Sequence, residues 1–284
     1  DVLGSRGLGD VYKRQDILGT TDHTFVSLTG YSRNIWLNIV IMLLIITGGI
    51  GFLTWEDFYI NKFKFKRYRM QSKIILMTTA ILIFLPAIFF FFNDFKMFSG
   101  EERTLLSFFQ SITTRTAGFN TADMALMTES GKAVMIFLML IGGSPSSTAG
   151  GMKTTTFAVL ILNAFATFRN REDAGAFGRR FDGQVIKNAA TIAMLYFMLF
   201  FFGGITISVY EGLPVLTCFY EAASAVGTVG LTLGVTPGLH IISRLILIAL
   251  MYLGRVGGMT LIYAVFSGKN NNGARMPLEK ITVG

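Results

Sequence analysis

The sequence predicts an all-α polytopic membrane protein, and three observations support this fold class. Hydrophobic residues make up 52% of the 284-residue chain and charged residues only 15%, which is too apolar for a typical soluble globule. Several apolar stretches are long enough to cross a hydrocarbon layer of roughly 30 Å as helices. The Lys and Arg residues lie between these stretches, so the net charge of +8 does not indicate a nucleic-acid partner.

The first 60 residues lead into the first predicted span. Residues 1–15 have neither the apolar core of a signal peptide nor a clear period, and we interpret them as a non-native leader. The polar residues 16–33 predict an extracytoplasmic loop, and a span follows from about Ile35 to Trp55. Its end carries the glycine-rich residues 48–51. Residues 16–60 are therefore expected to form the end of a second repeat.

Two basic segments set the predicted orientation. Both lie on the side that the positive-inside rule assigns to the cytoplasm, and a second span, Ile74 to Phe92, leads outward from the first of them. Pro86 within that span is tolerable as a kink. The basic residues are Lys62, Lys64, Lys66, Arg67, Arg69 and Lys73 in the first segment, and Arg169, Arg171, Arg179, Arg180 and Lys187 in the second.

A short apolar helix followed by a polar loop forms the first candidate pore element. Residues 105–112 are too few to cross a bilayer and too apolar for a solvated loop, so they predict a re-entrant helix. The polar stretch from Thr113 to Thr121 follows and is centred on Gly118. Irregular backbone at membrane depth is tolerated only where protein or a water-filled cavity surrounds it. The stretch therefore predicts a protein-lined pathway.

The hydrophobic segment at residues 132–168 is interrupted in its middle. The interruption combines flexible glycines, a proline without an N–H donor and hydroxyl groups that compete for backbone hydrogen bonds. It predicts a broken helix or an intramembrane loop. Its residues are Gly142, Gly143, Ser144, Pro145, Ser146, Ser147, Thr148, Ala149, Gly150, Gly151, Met152 and Lys153.

The second half of the chain repeats this pattern. A span is predicted at residues 185–209, a short helix at 213–225, a loop at 227–232 and a returning span at 241–266. Aligning Gly118 with Gly230 predicts repeated helix, pore helix, filter loop and helix units: two complete repeats plus the last helix of a preceding one. The third repeat would span residues 61–170, the fourth 171–267, and a short cytoplasmic tail 268–284.

The two loops have the composition of a cation filter. A cation that leaves water must exchange its hydration shell for oxygens, and a short extended loop can aim successive backbone carbonyls at one axis. Glycine permits the unusual backbone, and apolar residues can pack behind the loop. The candidate filter residues are Thr116, Ala117, Gly118, Phe119, Asn120, Thr228, Val229, Gly230, Leu231 and Thr232.

The residues 114–121, 142–153, 227–232 and 254–257 resemble, in this order, the Trk/Ktr/HKT superfamily of potassium transporters, and most closely the pore-forming subunits of Ktr systems. The resemblance implies four fused repeats around one pore, of which this chain shows the third and fourth filter loops. It implies potassium uptake, with K⁺ held by filter carbonyls, Na⁺ as an alternative coupling ion and no covalently bound cofactor. It also implies that residues 142–153 gate the pore and that Arg255 contacts this gate.

The same resemblance implies partners and a location. We expect a homodimer in a bacterial-type plasma membrane, with bound lipid, a cytoplasmic C-terminus and no nucleic acid. A cytosolic nucleotide-binding ring subunit of the KtrA or TrkA type would regulate the gate. A sodium-permeable or non-selective cation transporter of the same fold remains an alternative, as does a non-conducting membrane subunit.

Several residues keep two interpretations. Arg255 either plugs the inner gate or extends to the cytoplasmic interface, because an arginine inside a span needs oxygen partners or water. Lys153 is either interfacial or part of the gate. Arg115 either supports the loops by hydrogen bonds or controls ion access. Glu221, in the second pore helix, is expected to be a scaffold, and Cys218 a packing residue.

The residues present argue against two other functional classes. Gly150–Thr155 superficially resembles a phosphate-binding loop, but Met152 separates glycine from lysine and the flanks are membrane-like. An enzyme would need paired carboxylates, a metal cluster or a Ser/His/Asp set within the spans, and the predicted spans contain none of these. We therefore expect a protein that is not an enzyme.

Overall fold

The computed structural model describes residues 27–62, 64–171 and 173–257. The predicted leader, the predicted tail and the end of the last span lie outside these residues. The predicted all-α class is confirmed, since a single two-residue hairpin, β1 (Gly175–Ala176) with β2 (Arg179–Arg180), is the only sheet in the described residues. The helices are α1 (Ile35–Ile50), α2 (Phe52–Asn61), α3 (Met70–Asn93), α4 (Gly100–Thr113), α5 (Glu129–Leu140), α6 (Thr154–Phe168), α7 (Gly183–Glu211), α8 (Val215–Val226) and α9 (Ile241–Val256).

Among the described residues, two helices are long and apolar enough to cross a membrane alone. They are α3 with 24 residues and α7 with 29 residues, and α1 with α2 would make a third span if the bent pair is counted together. Pro86 lies inside α3 without ending it. Large apolar side chains such as Trp36 and Phe165 remain exposed on the outer faces, which is the surface expected where lipid replaces water.

The predicted first span from Ile35 to Trp55 is wrong in its second part. Helix α1 ends at Ile50, and α2 leaves it at an angle of 95°. The break falls at Gly51, whose φ of 87° lies outside the helical region and is accessible to glycine without strain. The chain therefore turns away from the span before Trp55.

The predicted interruption of the third-repeat helix is confirmed. Helix α5 ends at Leu140 and α6 begins at Thr154, so residues 141–153 form a non-helical connection between them. Helix α5 has 12 residues and α6 has 15, about 18 Å and 22 Å at 1.5 Å per residue. Neither half alone matches the hydrocarbon thickness of roughly 30 Å.

The two short helices that precede the candidate filter loops differ from their predicted bounds. Helix α4 begins at Gly100 and not at residue 105, because Ser99 precedes it as an N-terminal cap residue with extended backbone and the next turn carries Glu101 and Glu102. Carboxylates in a first turn interact favourably with the helix dipole. Helix α8 begins at Val215, directly after Pro214, and all but a few of its residues are buried.

Helix α8 lies in the centre of the apolar core. It packs against α5, α7 and α9, and Tyr220, Ala222, Ala223 and Val226 are fully buried. Short side chains on a buried helix allow neighbouring helices to approach closely in a membrane protein. The core therefore surrounds the helix that leads into the second candidate loop.

The two basic segments lie at one end of the molecule, as the alternation of spans predicts. The ring of Phe65, in the first segment, meets the ring of Phe177, in the hairpin of the second, at 6.5 Å between centroids. The Lys73 ammonium lies 5.5 Å from the centroid of Phe177. At the opposite end, Arg33 forms an ion pair with Glu102 at 3.2 Å.

Candidate functional site

The two candidate filter loops share an unusual backbone. Thr116 and Gly118 have φ values of 61° and 73°, and the aligned residues Thr228 and Gly230 have φ values of 52° and 91°. The left-handed region costs a non-glycine residue roughly 1–2 kcal/mol. Both loops therefore hold a strained threonine and a relaxed glycine at the same two positions.

The two loops contact each other through their backbones. A Cβ atom on Gly118 would overlap the carbonyl oxygen of Val229 and would lie 3.4 Å from the carbonyl carbon of Gly230. Only a residue without a side chain allows this approach. The structure thus brings together the two central glycines that the sequence places far apart.

Hydrogen bonds from the end of α4 hold the first loop. The Ala117 and Gly118 N–H groups donate to the Thr113 carbonyl at 3.1 and 3.2 Å. The Thr113 hydroxyl donates to the Phe119 carbonyl at 2.5 Å, and the Asn120 carbonyl accepts from Leu28 at 2.9 Å. The carbonyls of Phe119 and Asn120 are thus engaged by the protein, although both residues are predicted filter residues.

A buried carboxylate holds the segment after the second loop. Glu221 accepts hydrogen bonds from the Thr232 hydroxyl at 2.6 Å, the Leu233 N–H at 2.8 Å and the Thr236 hydroxyl at 2.9 Å. Leu231 is fully buried behind the loop. The scaffold role predicted for Glu221 is confirmed, because its carboxylate is bonded to the chain around it.

The interrupting segment, residues 142–153, folds back as a closed loop that we call the gate loop. The Gly142 N–H donates to the Met152 carbonyl at 2.7 Å and the Thr154 N–H to the Gly143 carbonyl at 3.0 Å. A Cβ on Gly142 would overlap the carbonyl oxygen of Gly150. The glycines here therefore permit close packing between the two ends of the loop.

The gate loop packs against the second filter loop. A Cβ on Gly150 would overlap the Thr228 hydroxyl oxygen, and a Cβ on Gly151 would lie 3.3 Å from the Cα of Gly227. The Gly151 N–H also donates to the Gly254 carbonyl at 3.3 Å, at the end of α9. No room remains for a side chain between the two loops at these positions.

Two cationic side chains donate hydrogen bonds to carbonyl oxygens of the gate loop. The Arg255 guanidinium donates to the Thr148 carbonyl at 2.6 Å, and the Lys153 ammonium donates to the Ala149 carbonyl at 2.6 Å. Hydrogen bonds from charged donors are stronger than neutral ones. Arg255 therefore joins the end of α9 to the gate loop, Lys153 bonds within that loop, and Arg255 is also exposed.

The bend after α1 is joined to the gate loop as well. The Ser144 N–H donates to the Gly49 carbonyl at 3.0 Å, and the Phe52 N–H donates to the Ser146 carbonyl at 3.1 Å. A Cβ on Gly51 would overlap the Pro145 carbonyl oxygen. Sequence reasoning missed this contact, although the glycine-rich end of the first span was the available signal.

A cavity of about 280 Å³ lies between α1, the first filter loop and the gate loop. Arg115 lines it and is buried, and its Nε and Nη2 atoms have no hydrogen-bond partner in the described part of the chain. The hydrogen-bonded scaffold considered for Arg115 is therefore not seen for these two donors. The other lining residues are Ile41, Leu44, Ile45, Gly48, Gly49, Thr116, Ala117, Phe119, Thr148 and Ala149.

Membrane-length helices and two short helices, each leading into a glycine-centred loop, define a membrane protein. A family model described as TrkH, cation transport protein, matches residues 70–272. The chain belongs to this family of cation transport proteins, a class of transporters and not of enzymes.

Named relatives support the same assignment. The chain is 37% identical to the potassium/sodium uptake protein NtpJ of Enterococcus hirae over 269 residues, which cover 91% of this chain and 59% of the relative. It is 31% identical to the Ktr system potassium uptake protein B of Bacillus subtilis over 264 residues, which again cover 91% of this chain and 59% of the relative. The chain thus spans about three fifths of the length of these relatives.

The fold has a solved counterpart. The crystal structure of the potassium transporter TrkH from Vibrio parahaemolyticus superposes with a TM-score of 0.66 and 18% identity, over 80% of this chain and 51% of that chain. At this identity the likeness concerns the fold alone.

Proposed function

We propose that this chain forms the C-terminal part of a protein that takes up potassium across a membrane, through a pore lined by the loops of Gly118 and Gly230. The observation that carries the proposal is the backbone contact between the two glycine loops, which share a left-handed threonine and glycine. Loops of this kind can present carbonyl oxygens to a dehydrated cation without any carboxylate.

Potassium is the favoured ion, and sodium is the second candidate. The relatives from Enterococcus hirae and Bacillus subtilis are named potassium/sodium and potassium uptake proteins. The glycine in both described loops favours carbonyl coordination, as the resemblance to potassium transporters implies. Sodium would enter either as a permeant ion or as a coupling ion.

The gate loop is proposed to block the pathway in the described conformation. It packs directly against the second filter loop at Gly150 and Gly151, on the side where α9 ends. Arg255 and Lys153 hold its carbonyls at Thr148 and Ala149. Opening the pathway would require these contacts to break.

Orientation and partners follow from the same proposal. The two basic segments would face the cytoplasm of a bacterial-type plasma membrane, together with the C-terminus. The names of the Ktr and Trk systems favour association with a cytosolic regulatory subunit. A homodimer is the assembly that the family resemblance implies.

The test uses a joined protein, in which the portion of the Enterococcus hirae relative that lies outside the match completes this chain. We expect it to restore growth of potassium-uptake-deficient cells at low potassium and to take up rubidium in preference to sodium. Gly230→Ser should lower the rubidium-to-sodium ratio roughly tenfold, because a strain of about 1.4 kcal/mol at φ of 91° distorts the loop.

Gly212→Ser is the matched control. Gly212 also has a positive φ, 68°, so serine is strained there too, but Gly212 follows the end of α7 and lies outside both candidate filter loops. This variant should keep the ratio. A joined protein that reaches the membrane and transports neither ion would contradict the proposal.

A further inference from the structure

Helix α2 has two opposite faces. Thr54 and Asp57 are each 2% exposed and face the protein, whereas Phe52, Trp55 and Tyr59 are 70%, 39% and 86% exposed. These three aromatic residues are spaced i, i+3 and i+7, so they form one stripe along the helix. Beside the stripe, Leu53, Phe58 and Ile60 are exposed as well, at 41%, 40% and 62%. A short helix that turns 95° from a membrane span and exposes aromatic side chains has the character of a helix at a membrane surface.

An exposed basic segment follows α2 directly. Lys62, Lys64, Lys66 and Arg67 are all exposed, and no acidic residue lies among them. The two nearby carboxylates already have partners. Asp57 is buried and accepts from the Ser72 hydroxyl at 2.6 Å and the Arg69 N–H at 3.1 Å, and the exposed Glu56 forms an ion pair with Arg69 at 3.1 Å. Such a cluster beside a membrane helix attracts anionic headgroups, with about 1 kcal/mol per basic residue.

Helix α2 is also tied to the gate loop. Its first N–H, on Phe52, donates to the Ser146 carbonyl at 3.1 Å, and the preceding Gly49 carbonyl accepts from the Ser144 N–H at 3.0 Å. The Trp55 indole donates back to the Thr47 carbonyl at 3.0 Å, which fixes the angle of the bend. A movement of α2 therefore changes the hydrogen bond between Phe52 and Ser146 directly, next to the bond that the end of α1 makes with Ser144.

We propose that α2 and the basic residues Lys62, Lys64, Lys66 and Arg67 bind an anionic phospholipid surface, and that this binding holds the gate loop in its seated position against the second filter loop. Charge complementarity selects the lipid class, and the aromatic stripe would lie in the headgroup layer. The second step rests on the proposed function of the gate loop. A ligand that binds one conformation more tightly shifts the population toward it, so anionic lipid lowers transport.

The lipid contact is tested by the fluorescence of Trp55 in the 284-residue chain. The sequence has two tryptophans, so Trp36→Phe leaves Trp55 as the only reporter. In nanodiscs, brominated phosphatidylglycerol should quench Trp55 roughly twofold more than brominated phosphatidylcholine at the same mole fraction. The change of Lys62, Lys64, Lys66 and Arg67 to Gln should remove this preference.

A matched control comes from the other basic segment. Arg169, Arg171, Arg179 and Arg180 are also exposed and lie at the same end of the molecule, and their change to Gln should leave the preference intact. Equal quenching by the two lipids would overturn the headgroup contact. Absence of quenching by either would show that protein, from another part of the chain or a second copy, covers α2, and it would overturn the proposal.

The gating step is tested with the joined protein in vesicles. Rubidium flux should be roughly fivefold lower with phosphatidylglycerol than in phosphatidylcholine alone, the lower end of usual coupling between linked sites. The quadruple Gln variant in the first basic segment should lose this difference. Equal flux in both lipids, with quenching preserved, would overturn the gating step. Absence of flux in any lipid would overturn the proposed function and the gating step together, while the fluorescence result decides the lipid contact separately.

Discussion

The replacement of Arg255 by alanine isolates one hydrogen bond of the gate loop. The Arg255 guanidinium donates to the Thr148 carbonyl at 2.6 Å. A hydrogen bond from a charged donor contributes roughly 1.5–3 kcal/mol, and we take the lower end because Arg255 is exposed. A loss of about 1.4 kcal/mol corresponds to a tenfold change in an equilibrium. The ratio of seated to displaced gate loop should therefore fall roughly tenfold.

The measurement is rubidium flux through the joined protein in vesicles, normalised to the amount of protein in the membrane. Flux should rise severalfold, up to roughly tenfold if the seated loop dominates before the change. Arg244→Ala is the control, because Arg244 lies near the other end of the same helix and also donates to a backbone carbonyl, that of Pro237, at 2.5 Å. Unchanged flux for Arg255→Ala, or an equal rise for Arg244→Ala, would refute the gate role.

Two further predictions concern stability. Glu221→Ala should lower the free energy of unfolding by about 3 kcal/mol or more, because three donors lose a buried acceptor. The change Glu129→Ala, at an exposed residue, should alter it little. Thermal unfolding in detergent measures both variants, and equal melting temperatures would contradict the scaffold role. Gly254→Ala should cost about 1–3 kcal/mol, because a Cβ there would overlap the Val226 carbonyl oxygen. Gly183→Ala, with nothing within 4 Å, is its control in the same assay, and a similar melting temperature for the two variants would speak against close contact between α8 and α9.

Local chemistry was enough to predict the broken helix in the third repeat. Residues 142–153 combine glycines, Pro145 and hydroxyl side chains, each of which disfavours a continuous helix. From the sequence, these glycines were expected to make the backbone flexible. The structure gives them a different role, because Gly142 and Gly150 lie where a Cβ would overlap another part of the chain.

The bend after α1 was missed, because hydropathy does not mark its position although the glycines at 48–51 permit it. Phe52, Leu53 and Trp55 are apolar, so the hydrophobic segment continues across Gly51. The helix ends there because the Phe52 N–H bonds to the Ser146 carbonyl and because Gly51 packs on Pro145. Both partners lie far along the chain, and only the tertiary fold brings them to the bend.

The alignment of the two loops predicted their shared residues but not their contact. Gly118 and Gly230 were expected around one axis, and the structure places the backbone of Gly118 against the Val229 carbonyl. The partners of the gate loop among the filter residues, Thr228 and Gly227, were likewise beyond sequence reasoning. Arg115 remains without partners for two of its donors in the described residues.

The central claim is that the contact between the loops of Gly118 and Gly230 sets ion selectivity. The most direct test is the rubidium-to-sodium uptake ratio of the joined protein with Gly118→Ala, compared with Gly178→Ala. Both glycines have nearly the same positive φ, 73° and 75°, but only a Cβ at Gly118 meets the other loop. We predict that Gly118→Ala lowers the ratio roughly tenfold or more and that Gly178→Ala leaves it unchanged. Equal ratios for the two variants at equal surface expression would contradict the claim.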